Sequence, residues 1–371
     1  VDLASLNPGL VHCSITPFGT AGPARKEPHN PDLVKARMGI FYSAPGFREG
    51  HIYVVHPIVE VGAGILAAQG VVAALFSRLS TLSGRRLETS LMAGALLFTP
   101  VAGGTSVPQQ TRNSTAVGGA PFYSVYECGD GKWLQLGCIH LGFIDQASSV
   151  MGIADVLLDP KYGGGRIPEN DSARKELFEI VKNVMKSDSS GNWASRFEEA
   201  DVPFAIVASV SEAMVNTQVI HNGLIHELND PVLGEMTQYG LTLQLSDTPG
   251  HIRGPRKEIG WNDLELSSQQ QDYVLSPTPL ATELPLEGVK IGDITNVIAG
   301  PVAGRLLADL GADVLKIETL TGDFSRGPSP IFRSLNANKR SISIDSKNPD
   351  GRDTLQHIVS GCDALVANLR P

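Results

Sequence analysis

Gly288-Val-Lys-Ile-Gly-Asp-Ile-Thr-Asn-Val-Ile-Ala-Gly-Pro301-Val-Ala-Gly-Arg305-Leu-Leu-Ala-Asp-Leu-Gly311-Ala-Asp-Val-Leu-Lys-Ile-Glu318 reads as strand, loop, helix and strand. At about thirty residues it has the minimum length of a right-handed βαβ unit. Val289, Ile291 and Ile294 make a short apolar strand, and Pro301 stands where proline suits the first turn of a helix. Val302, Leu306, Leu307 and Leu310 then line one helical face, Gly311 stops the helix, and residues 313–317 begin the next strand. The pattern sets the fold class as α/β with a parallel sheet, whose ligands sit at the C-terminal ends of the strands.

Working outward, the chain has 371 residues, 42% apolar and 19% charged, enough for two domains. A net charge of -9 without a run of Lys or Arg excludes nucleic acid as a partner. Cys13, Cys128, Cys138 and Cys362 form no CxxC pair, so no metal site or disulfide framework is expected, and four free thiols fit a reducing, cytoplasmic setting. The longest apolar run, residues 65–76, is broken by Gln69 and Gly70 and is too short to span a bilayer, so no membrane partner is expected.

Residues 10–15 read as a strand ending at Thr16-Pro-Phe-Gly19. A helix over residues 61–79 carries Gly62, Gly64, Ala67, Ala68, Gly70, Ala73 and Ala74, a composition that makes sense if it lies close against another backbone. A strand over 86–91 and a helix over 92–98 follow. Strands over 122–126 and 133–139, a helix over 143–151 and a helix capped by Asn170 make a second domain. No internal repeat or heptad pattern is visible. The expected organisation is a large Rossmann-like domain from residues 1–105 and 286–371, a small α/β domain over 121–250, and linkers over 106–120 and 251–285.

The order of residues in 288–318, followed by Asn336-Ala-Asn-Lys339-Arg340 and Asp363-Ala-Leu-Val-Ala-Asn368, resembles the opening of the class III (CaiB/BaiF-type) CoA-transferases. That family includes formyl-CoA transferase, carnitine CoA-transferase and α-methylacyl-CoA racemase. Residues 1–265 resemble the later two thirds of a member, so the module stands in permuted segment order. The resemblance implies a middle fragment of a fused two-module protein, a natural circular permutant being the alternative. It also implies an intertwined homodimer, because the family's long linkers cross between domains.

The family's nucleophile is an aspartate that attacks an acyl-CoA thioester, in the pattern acid, three residues, Gly, five residues, Gly, two residues, Ala-Ala-Leu. Glu60, Gly64, Gly70 and Ala73-Ala74-Leu75 match that spacing, with glutamate in place of aspartate. The resemblance therefore implies Glu60 as the catalytic carboxylate of an acyl-CoA:carboxylate CoA-transferase. Glu60 as a helix-capping acid in a catalytically degenerate, CoA-holding module is one alternative. A racemase is another, with His29 and Asp32 as a proton-exchanging pair, although His140 stands where racemases place a glutamate. Gly118-Gly119 precedes the small domain where formyl-CoA transferase has a glycine-rich loop, or is an ordinary turn. For CoA, the resemblance implies contacts from Ile298, Ala299, Ile344, Asn368 and Leu369; Lys339 and Arg340 are the nearest basic candidates for the nucleotide phosphates. Ile298 stands where formyl-CoA transferase has a glutamine. Acyl-CoA and a small carboxylate are the implied substrates, with no prosthetic group and no metal.

Overall fold

The strand expected over residues 10–15 forms as β1 (His12–Thr16), paired in parallel with β2 (Arg86–Ser90) from His12 opposite Arg86 to Thr16 opposite Ser90. The computed structural model describes residues 3–44, 50–98, 118–165, 168, 170–256, 259, 283–327 and 331–369. Most of both expected linkers, apart from 118–120, 251–256, 259 and 283–285, therefore lies outside the described residues. Two compact units emerge, Val1–Arg112 with Tyr273–Pro371, and Asn113–Asp272.

Between β1 and β2 run α1 (Pro31–Arg37), capped by the Asn30 side chain, and α2 (Ile58–Thr81). α3 (Leu91–Leu97) follows β2 directly, its amide at Ala93 capped by Ser90. The small residues of α2 have the use expected of them. A Cβ on Gly62 would lie 2.5 Å from the Gly94 carbonyl oxygen, and one on Gly94 would lie 2.3 Å from the Val59 carbonyl oxygen. Only glycine lets these two backbones touch. Val34, Val59, Ala63, Leu91 and Ala95 fill the core between the three helices. α2 is longer than the apolar run suggested. Its 24 residues would pass for a bilayer span by length and composition alone, yet one stripe of it is packed inside this unit.

The second unit holds an antiparallel sheet in the order β3 (Gly118–Ala120), β4 (Tyr123–Glu127), β5 (Trp133–Leu136) and β6 (Phe204–Ile206). Helices α4 (Leu141–Val150), α5 (Asp171–Lys186) and α6 (Ser190–Glu199) belong to the same unit. Asn170 caps α5 as its sequence implied, accepting a bond from the Ser172 amide. Ala173, Leu177, Val181 and Met185 are the buried stripe of α5, and join Trp193, Phe197, Leu134 and Leu136 in one apolar core. A hairpin of β7 (Ile225–Asp230) and β8 (Gly234–Tyr239) completes the unit.

Residues 283–369 return to the first unit. β9 (Lys290–Asp293), α7 (Ala299–Ala308) and β10 (Asp313–Glu318) are the βαβ unit read from the sequence. β11 (Arg340–Ser343), α8 (Pro349–Ser360) and β12 (Ala364–Val366) extend it to an all-parallel sheet in the order β11-β10-β9-β12. The resemblance places the apolar runs at 10–15 and 363–368 in one sheet; the structure corrects that. β1 pairs with β2 in a separate two-stranded sheet. The two sheets share a unit through side-chain packing, because Ala73 of α2 sits in one apolar cluster with Ile291, Ala308 and Val314. Arg85 adds a hydrogen bond to the Glu283 carbonyl, 3.0 Å long.

Candidate functional site

Glu60 occupies the first turn of α2, whose N-cap, Pro57, offers no side-chain bond to the exposed amides. The positive end of the helix therefore stabilises a carboxylate there. Glu60 Oε2 is buried and has no hydrogen-bond partner among the described residues. Helix capping leaves this oxygen unexplained, and a buried unpaired acceptor is costly unless a ligand or a reaction uses it. The segment leading into α2 is latched to α1. Lys35, itself buried, donates to Asp32 Oδ1 at 3.0 Å and to the Val54 carbonyl at 3.2 Å, and the Tyr53 hydroxyl donates to Asp32 Oδ2 at 2.7 Å. The bond to Asp32, then partial desolvation, then the charges of Asp32 and Glu60 push the Tyr53 phenol up. Tyr53 thus stands within electrostatic reach of Glu60 and keeps its proton. With its two oxygens taken by Lys35 and Tyr53, Asp32 does not form the pair with His29 that a racemase needs.

A second cluster gathers at the C-terminal ends of the four parallel strands. Asn368, two residues beyond β12, accepts from the Asn296 amide and donates to the Asn296 carbonyl, both at 2.8 Å. It fixes the loop that carries Ile298 and Ala299 into α7. Val297 in that loop has φ of +69°, a left-handed conformation strained for a β-branched residue. The Asp323 carboxylate holds its amide at 3.3 Å. Asp323 in turn lies 2.9 Å from the buried Lys316 ammonium, which also donates to the Thr295 carbonyl. Glu318 takes a forked contact from Arg326, at 2.6 and 2.5 Å, and a bond from Ser341. Burial would raise the Glu318 carboxyl, but Arg326, Ser341 and the Asp323 amide bring it down to about 2. Its folded pKa lies below the unfolded one, so this stabilisation is complete above roughly pH 4.3 and is lost as pH falls toward 2. Thermal unfolding followed across pH 2–6 should show that decline, and Glu318→Gln should flatten it while lowering stability at neutral pH.

Beside this network a cavity of about 420 Å³ opens between the ends of β10 and β11, lined by Thr319, Thr321, Gly322, Arg326, Ser341 and Ser343. It is a crevice of the kind open α/β sheets use for ligands.

Of the expected CoA residues, Ile298, Ala299, Ile344 and Asn368 do lie at this end of the sheet, on the loops and strand ends just described. Leu369 follows Asn368 and is exposed, whereas Ile344 is buried. The basic pair does not join them. Lys339 spends all three donors inside the fold, on Asp293 Oδ2 at 2.7 Å, the Pro301 carbonyl at 2.8 Å and Asn336 Oδ1 at 2.9 Å. Arg340 begins β11 and grips Asp313, the first residue of β10, at 2.8 and 2.7 Å. That is the opposite end of a parallel sheet. Arg326 is the cation at the crevice, and its sequence signal was a basic residue just past the Gly322-Asp323 turn after the second strand. In the other unit, His140 caps α4 through Nδ1 and stacks on Phe143 at 3.8 Å, a structural role. Gly118 and Gly119 are in β3, against Ser124.

α2 meets the four-stranded sheet at Ala73, thirteen residues from Glu60, which is about 20 Å along a helix. A model of CoA-transferase family III matches residues 1–262 and 286–371. The chain belongs to CoA-transferase family III. Among similar family members, the formyl-CoA:oxalate CoA-transferase of Rhodopseudomonas palustris (strain HaA2) is 46% identical over 95 residues, 23% of this chain and 22% of that protein. The succinyl-CoA:glutarate CoA-transferase of Mus musculus is 24% identical over 251 residues, 66% of this chain and 56% of that enzyme. The chain thus spans between about a fifth and about half the length of these relatives. A crystal structure of a CAIB/BAIF family protein from Brucella suis aligns with a TM-score of 0.56 at 18% identity, covering 71% of this chain and 69% of that one. The crystal structure of Rv3272 from M. tuberculosis aligns with a TM-score of 0.59 at 15% identity, covering 71% of this chain and 70% of that one. These structures share the family's fold.

Proposed function

We propose that this family III CoA-transferase module moves CoA from an acyl-CoA to a small carboxylate, with Glu60 as the covalent carrier. The observation that carries the reading is the buried, unpartnered Oε2 of Glu60 at an uncapped helix N-terminus. An oxygen held there with no hydrogen bond among the described residues keeps its lone pairs for a substrate carbon.

The steps balance without an outside proton donor. A Glu60 oxygen attacks the thioester carbonyl carbon, the C–S bond breaks, and CoA leaves as thiolate with the electron pair, giving an acyl–Glu60 anhydride. The thiolate attacks the Glu60 carbonyl, expelling the donor's carboxylate and leaving a Glu60–CoA thioester. The acceptor carboxylate attacks that thioester and frees the thiolate again, which then takes the acceptor's acyl group and restores Glu60. Ile298, Ala299, Asn368 and Leu369, with Arg326 and the hydroxyls of Thr319 and Ser343, are the residues we assign to CoA, at the strand-end crevice.

We place the protein in the cytoplasm as a homodimer; the four free cysteines fit that setting. The test is an assay of intact protein with formyl-CoA or succinyl-CoA as donor and a panel of mono- and dicarboxylates as acceptors. A new CoA ester formed without ATP, with no build-up of free CoA, is expected. Hydrolysis alone, or no turnover with any pair, would overturn the transferase reading.

A further inference from the structure

Two carboxylates compete for one phenol. The Tyr53 hydroxyl has a single proton to give, and it gives it to Asp32 Oδ2 at 2.7 Å. The other acid is Glu60, seven residues further along the chain. Its charge acts on the same phenol, and its Oε2 is buried with no hydrogen-bond partner among the described residues. The Tyr53 ring lies 5.2 Å from that of Phe41, centroid to centroid. Phe41 belongs to the apolar cluster that also holds Val54, Ile58 and Val59, so the segment carrying Tyr53 and the first turn of α2 rest on one floor. Lys35 then orients Asp32. Its buried ammonium donates to Oδ1 at 3.0 Å and to the Val54 carbonyl at 3.2 Å, which leaves Oδ2 for the phenol of the residue before Val54. The bonds from Tyr53 and Lys35 hold the Asp32 carboxyl below the usual range, so it stays an ionised acceptor.

We propose that Asp32, oriented by Lys35, is a positioning residue that keeps the Tyr53 proton engaged and off Glu60, so that the Glu60 carboxylate stays unbonded and nucleophilic. A hydrogen bond to a carboxylate ties up a lone pair that must attack, and has to be broken first. Scaffolding alone would not call for this arrangement, since an apolar side chain of similar volume in place of Lys35 fills the same space without burying a charge. The role deepens the reading of Glu60 as the carrier, and its effect on turnover rests on that reading.

Asp32→Asn tests it with almost no change in volume. The amide oxygen can still accept from Lys35, while the amide nitrogen donates to the Tyr53 oxygen and releases the phenolic proton for Glu60. Turnover of an acyl-CoA donor by intact Asp32→Asn protein should fall about tenfold to a hundredfold, the range for one hydrogen bond to a charged group, in kcat with KM little changed. Asp32→Asn/Tyr53→Phe should regain the parental rate, because the competing donor is gone. A small epoxide, which alkylates carboxylates, reads the same effect without CoA. Its rate of labelling the peptide containing Glu60, followed by mass spectrometry, should drop in Asp32→Asn and recover in the double variant. An Asp32→Asn protein that labels at the parental rate would overturn the proposal. So would a double variant that stays as slow as the single one, which would assign Asp32 to scaffolding alone. Epoxide labelling that follows the expected pattern while Glu60→Gln still turns over acyl-CoA would uphold the proposal and overturn the carrier reading instead.

Discussion

Replacing Glu60 by glutamine in the intact protein should lower turnover of an acyl-CoA donor by at least about a thousandfold, the scale seen when a covalent nucleophile is removed. The substitution keeps shape and size and removes only nucleophilicity, so neither α2 nor its packing on α3 should suffer. Circular dichroism and the melting temperature should stay within error of the parent. Glu60→Asp separates this account from a mere charge at the helix start. It restores the acid the family uses, and should keep measurable turnover even though its carboxylate is drawn back by about 1.5 Å, a shift that can cost roughly a hundredfold. A capping acid would behave in the opposite way, losing stability in Glu60→Gln and no activity.

The largest stability effect should come from the buried Lys339–Asp293 pair. Both side chains are almost wholly out of water, at 1% and 0% accessible, and the ammonium sits 2.7 Å from the carboxylate. Burial pulls the Lys339 pKa down while Asp293 opposes it. Asp293→Ala would strand the ammonium with only carbonyl oxygens for company, and breaking such a pair costs about 3–5 kcal/mol. In a unit of this size that corresponds to a fall in melting temperature of roughly 10 °C, readable by calorimetry. Removing both charges together, as Asp293→Ala with Lys339→Met, should recover much of the loss, because the expense lies in the unpaired charge. Asp293 also accepts from the Thr295 amide at 3.0 Å, so the loop after β9 should loosen in both variants.

Local chemistry made much of this legible in sequence. Gly311 takes φ of +104° at the end of α7, where its lack of a side chain had marked a stop, and Asn170 caps α5. Gly62 and Gly94 meet backbone to backbone, as the small-residue composition of that helix implied. What stayed hidden depended on which groups the fold brings together. Lys339 and Arg340 look alike in sequence, yet one is locked in the core and the other faces the N-terminal edge of the sheet. Tyr53 gave no signal, because its meaning comes from Asp32, twenty-one residues away, and from Glu60. The buried stripe of α2 was hidden for a different reason: its apolar residues are spread round the helix, so periodicity cannot say which side is covered. Pairing of β1 with the β9–β12 sheet is what the family resemblance implies for the apolar runs at 10–15 and 363–368, but such runs fix strands and not their neighbours.

The proposed covalent loading of Glu60 with CoA is open to direct weighing. Intact protein mixed with an acyl-CoA donor and no acceptor, quenched in acid and weighed by mass spectrometry, should gain the mass of CoA less one water. Hydroxylamine should convert that adduct to a hydroxamate on the peptide containing Glu60, and Glu60→Gln should show neither. An unmodified Glu60 peptide from protein that is turning over, or an adduct that persists in Glu60→Gln, would contradict the account.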